Sequence, residues 1–166
     1  MFELKTLSID AIGRSLEKAE RYRLLNEAEE AESICLDVLA VAPDNRQALV
    51  TLLLALTDQF PRAPADAIRR AQELIPRLDS EYDRAYYSGI ICERRANARL
   101  SGQASGSREV AYDLYRQAMR WYERAEELGP YGNEDALLRW NTCARQIMRH
   151  RLAPAVEDVR EPILSE

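Results

Sequence analysis

Residues 118–130 read AMRWYERAEELGP. Ala118, Tyr122, Ala125 and Pro130 are spaced four, three and five apart. The first three positions fall on one face of a helix, and the proline forbids its continuation. A small residue lets a neighbouring helix approach closely, and the larger one a turn later fills the space beside it. Ala31, Cys35, Val38 and Pro43 repeat the same four, three, five spacing. Around that second copy, Ala28, Ala31, Cys35, Val38 and Leu39 form an apolar stripe, while Glu27, Glu29, Glu30, Glu32 and Asp37 occupy the other face.

Working outward from these two segments, helical period dominates and strand signals are nearly absent. Pro43, Pro61, Pro64, Pro76 and Pro130 punctuate the chain. Asn26 with Glu29, Asp44 with Gln47, and Ser80 with Asp83 have the three-residue spacing of a helix start. The predicted map is seven helices at residues 8–25, 27–42, 44–59, 64–77, 80–101, 107–128 and 133–151. Ser101–Ser107, reading SGQASGS, is a break, because Gly102 and Gly106 are costly inside a helix. Residues 1–151 form one helical domain in this reading, and residues 152–166 a C-terminal tail.

The Ala–aromatic–Ala–Pro pattern at Ala118, Tyr122, Ala125 and Pro130 resembles the second helix of a tetratricopeptide repeat. Ala67, Ala71 and Leu74 match more loosely, and Pro76 comes before the place of the closing proline. First-helix positions are matched by Ala19 and Tyr22, by Leu53 and Leu56, and by Gly89 and Cys92, with Trp140 and Cys143 in a lone final helix. The resemblance covers roughly residues 11–150. It implies an all-α fold: a right-handed superhelix of antiparallel helix pairs, about three repeats plus a C-terminal capping helix. The chain departs from the family in period. Ala31 to Ala67 is 36 residues and Ala67 to Ala118 is 51, against a usual period of about 34. Longer helices in the third pair and the Ser101–Ser107 loop account for the excess.

The formal charge of −5 argues against nucleic acid as the main partner, since phosphate contacts need a surplus of Lys and Arg. The acidity is local: residues 1–45 carry ten acids and five bases, and the rest balances. Cys35, Cys92 and Cys143 have neither metal-ligand nor redox spacing, and reduced, buried thiols are expected. Met1–Ser15 has no secretory pattern, and the apolar run Ala48–Leu56 is too short to span a bilayer. A cytoplasmic protein that engages no membrane is the resulting expectation.

No catalytic set can be assembled around His150, the one histidine. It lies between Arg149 and Arg151, where positive charge complements a helix C-terminus. A non-enzyme without metal or cofactor is therefore expected. Seven of the eight tyrosines lie between Tyr82 and Tyr131, and tyrosine suits both packing and binding surfaces.

Carried over from the family, the concave positions are Leu16, Glu20 and Arg23; Val50, Leu54 and Asp58; Tyr86, Ile90, Glu93 and Arg94; and Asn141 and Arg145. The two-carboxylate clamp of chaperone-binding members is matched only at Asn141, so capture of a chaperone tail is not expected. A groove half apolar and half mixed-charge suits a peptide or a partner helix. The expected function is a protein-interaction scaffold, with self-assembly into a homo-oligomer as the alternative. In the tail, Pro154 and Pro162 disfavour a long helix, yet Val156, Val159, Ile163 and Leu164 are apolar. It is either a solvated end or an extended segment docking in a groove, with Arg145, Arg149 and Arg151 meeting Glu157, Asp158 or Glu161.

Overall fold

A computed structural model describes residues 1–156, so Glu157, Asp158, Val159, Glu161, Ile163 and Leu164 lie outside the described residues. These residues form seven α-helices and no strand: α1 (Ile12–Leu24), α2 (Ala28–Val41), α3 (Arg46–Asp58), α4 (Pro64–Leu74), α5 (Glu81–Ser101), α6 (Ser107–Leu128) and α7 (Asp135–His150). Single 3-10 turns, Ile9–Ala11 and Ile75–Arg77, precede α1 and follow α4. No helix among the described residues is long and apolar enough to cross a membrane.

The expected helix map holds to within a few residues, and the differences have local causes. Residues 8–11 are mostly a 3-10 turn, so α1 starts at Ile12. Asn26 does not cap α2. It adopts a left-handed conformation (φ 61°) and closes α1 instead. Its N–H donates to the Arg23 carbonyl at 3.0 Å and the Glu27 N–H to that of Tyr22 at 2.9 Å, the double bond of a left-handed helix stop. Asn45, rather than Asp44, caps α3 by accepting from the Ala48 N–H at 2.9 Å. Ser80 caps α5 as expected, accepting from the Asp83 N–H at 3.3 Å. Pro64 occupies the first turn of α4, where its missing N–H costs nothing, and Pro76 sits in the 3-10 turn that ends that helix.

Consecutive helices pack on each other, and α1 also touches α3, as α3 touches α5. The core has two parts, one built from α1–α4 with Ile91 and one from α5–α7. Leu54 and Tyr87 pack against both and join them. The long helices α5 and α6, 21 and 22 residues, hold Leu114, Tyr115, Met119 and Tyr122 between them and α7. Leu152, expected in the tail, is buried beyond α7. Its N–H donates to the Ile147 carbonyl, past Arg151 in a second left-handed stop (φ 50°). Arg108 donates to the His150 carbonyl and fixes the same end from α6.

Ala31 and Ala118, the small residues of the repeated spacing, are both 0% exposed. Changing Ala118 to Leu should therefore overpack the α5–α6 contact and cost about 1–3 kcal/mol. Urea unfolding checks this, and an unchanged midpoint would mean that Ala118 does not mark a close helix approach.

Candidate functional site

The expected groove residues come from α1, α3, α5 and α7. Three of them meet. Arg23 Nε donates to Asp58 Oδ2 at 2.9 Å, and Arg94 Nη1 donates to Asp58 Oδ1 at 3.4 Å. One carboxylate on α3 thus holds a guanidinium from α1 and another from α5. Their side chains are 20–34% exposed, so each pair is screened and contributes about 0–1 kcal/mol. The triad leaves N–H donors on both arginines. It lines a cavity of about 320 Å³ together with Asn26, Thr57 and Asn97. A second depression, about 640 Å³, shares Asn26, Asp58 and Pro61 with it and carries Glu27, Glu29, Glu30 and Arg62. This end of the face is a polar hollow of mixed charge, shaped by the α1–α2 turn and the α3–α4 loop.

Further along, Val50, Leu54 and Tyr86 are half-buried and pack against the core. Tyr86 stacks on Tyr82 with ring centroids 5.7 Å apart, meets Tyr87 edge-on at 5.1 Å, and leans on Tyr122 at 5.9 Å. Burial pushes its phenol up to about 12, so it is a neutral, partly apolar surface near pH 7. Glu20 and Arg145 are exposed, and Asn141 is half-buried.

Three expected groove residues present no surface. Leu16, Ile90 and Glu93 are 1%, 4% and 2% exposed. Leu16 belongs to the first core and Ile90 to the second. The Glu93 carboxylate accepts from the Tyr122 hydroxyl at 2.6 Å, from Arg139 Nε at 3.1 Å and from Arg139 Nη2 at 2.7 Å. It is consumed in joining α5 to α6 and α7. The apolar strip of the face is consequently narrower than the sequence suggested.

The sequence pattern marks neither Arg139 nor Asp83 as functional; Asp83 is 4% exposed and held by both Nε and Nη2 of Arg46 at 2.5 and 2.9 Å. Their partners lie 46 and 37 residues away, beyond the reach of any local pattern. No cluster of His, Cys, Asp and Glu among the described residues has the grouping of a metal site.

The three thiols are buried, and burial raises each one, Cys35 to about 12. Thiolate is the reactive form, so none should react with a disulfide reagent such as Ellman's at pH 8 while the fold is intact. All three should react in denaturant. Rapid labelling of the native protein would contradict the burial. Comparison with protein-family models, with curated proteins and with solved structures finds no match.

Proposed function

We propose that this chain is a non-enzymatic, cytoplasmic interaction scaffold of the tetratricopeptide-like type. In this reading α1–α2, α3–α4 and α5–α6 are successive antiparallel pairs of a right-handed stack, and α7 is its cap. An extended peptide or a partner helix lies across the face shared by α1, α3, α5 and α7. The observation that carries the reading is the Arg23–Asp58–Arg94 contact, which joins α1, α3 and α5 on one face. Contacts of α1 with α3 and of α3 with α5 accompany it. Stacked helix pairs place alternate helices side by side in this way. The half-buried strip at Val50, Leu54 and Tyr86 supplies apolar area, and the mixed charges at its ends supply register.

Because Tyr86 is packed among other rings, the test uses exposed positions. The double change Glu20→Arg and Arg145→Glu reverses charge at both ends of the face without touching the core. Partners captured by the wild-type chain from its own cell extract should be lost by this variant, with the helical circular dichroism signal unchanged. Retention of every partner by the variant would place binding elsewhere on the molecule.

A second reading, assembly of copies, is favoured by apolar side chains exposed at both ends of the chain. Phe2 and Leu4 are 100% and 90% exposed before α1, and Leu138 and Met148 are 59% and 67% exposed on α7. Light scattering distinguishes the readings: a monomer at tens of micromolar excludes assembly as the function.

A further inference from the structure

A separate cavity of about 200 Å³ opens beyond Pro61, between the α3–α4 loop, α4, α5 and the α5–α6 loop. Its walls include Phe60, 1% exposed, with Ile68 and Ala98, which give it an apolar side beside the polar one. Arg95 and Arg99 stand one turn apart on α5 and both line it. Neither makes an ion pair or a side-chain hydrogen bond with any described residue, whereas Arg23, Arg46, Arg70, Arg94 and Arg139 all do. Among the described residues, no Asp or Glu lines the cavity. The first turns of α4 and α6 reach it at Pro64 and Ser107, with Asp66 and Glu109 in those turns offsetting the helix-end charge, so the arginines are its main positive groups.

Two guanidiniums beside an apolar wall call for a ligand with one anionic end and one short hydrocarbon end. A volume of about 200 Å³ corresponds to roughly six or seven waters, enough for a carboxylate and a few carbons and too small for a helix. Planar guanidinium forks match a carboxylate with paired hydrogen bonds. We infer that this cavity binds an aliphatic monocarboxylate, with Arg95 and Arg99 holding the carboxylate and Phe60, Ile68 and Ala98 receiving the hydrocarbon. The cavity adjoins the Arg23–Asp58–Arg94 hollow, sharing Pro61 and Ala98 with it, but it uses different arginines and stands whether or not the scaffold reading does. Such a carboxylate comes either from a short free fatty acid or from the C-terminus of a peptide ending in an aliphatic residue.

The test is titration of the isotope-labelled full chain, followed by backbone amide resonances. Hexanoate represents the free acid, and N-acetyl-leucine the peptide terminus. At least one of them should shift the amides of Ala98, Arg99 and Ser107 saturably, and whichever binds tighter identifies the source. Hexanamide, N-acetyl-leucine amide and acetate should each bind at least tenfold more weakly, because each lacks one of the two ends. The double variant Arg95→Gln and Arg99→Gln should weaken binding at least tenfold with an unchanged thermal midpoint. Equal binding of the neutral amides, shifts confined to other residues, or undiminished binding by the variant would overturn the inference. Inorganic phosphate binding as tightly as either carboxylate would also overturn it, because the site would then read charge alone.

Discussion

Replacing Arg139 with Ala is expected to destabilise the fold by about 3–5 kcal/mol, the usual cost of stranding a buried charge. Glu93 is 2% exposed, and two of its three hydrogen bonds come from Arg139. Without that guanidinium the carboxylate, almost wholly enclosed in the intact fold, keeps only the Tyr122 hydroxyl among these three bonds. At about 2–4 °C per kcal/mol for a chain of this length, the thermal midpoint should fall by roughly 6–20 °C. The partner change behaves differently. Glu93→Gln keeps an acceptor for Tyr122, and the Arg139 side chain is 30% exposed and can turn toward solvent. Its loss should be smaller. Chemical denaturation of both variants tests the order. Equal losses, or a loss under 1 kcal/mol for Arg139→Ala, would mean that water relieves Glu93 when the pair is broken. Because Arg139 lies on α7 and Glu93 on α5, the variant should also loosen α7 first, visible as faster amide exchange along Ala136–Ile147.

The helices were legible because prolines, glycines and apolar period are local signals. Pro43, Pro64 and the Ser101–Ser107 segment each sit where a helix ends or begins. Cap identity was less so. Asn26 serves equally as a helix start or a left-handed stop, and only the bonds to Tyr22 and Arg23 decide which. Among the site residues, Arg23, Asp58 and Arg94 meet in space, as the positions carried over from the resemblance lead one to expect. Glu93 was placed on that face by the same logic, yet it is enclosed. Register fixes where a side chain starts, whereas the carboxylate's burial depends on Arg139 and Tyr122 arriving from other helices. The paired cavity arginines, Arg95 and Arg99, give no sign in sequence, because what sets them apart is that both line one cavity with Phe60 and Ile68, which lie on other elements.

Tyr122→Ala should cost about 3–5 kcal/mol, the range for truncating a large buried aromatic. The side chain is 0% exposed and fills the space that Gly89 leaves on α5. A Cβ added at Gly89 would lie 2.5 Å from Tyr122 Cε1, so the glycine is required by the ring and not by its backbone conformation. Burial raises the Tyr122 phenol far above its ordinary value, followed in effect by the adjacent Glu93. The phenol therefore stays protonated near neutral pH and remains a donor to Glu93. Tyr122→Phe keeps the ring and loses that donor, for about 1–3 kcal/mol. The difference between the two variants separates packing from hydrogen bonding. Gly89→Ala alone should destabilise by about 1–3 kcal/mol through overpacking. Combined with Tyr122→Leu, which vacates the ring's edge, its added cost should shrink by at least 1 kcal/mol, a coupling expected of residues in direct contact. Strict additivity of the two changes in urea unfolding would show that Gly89 and Tyr122 do not share one space, and the close approach of α5 and α6 would need another cause.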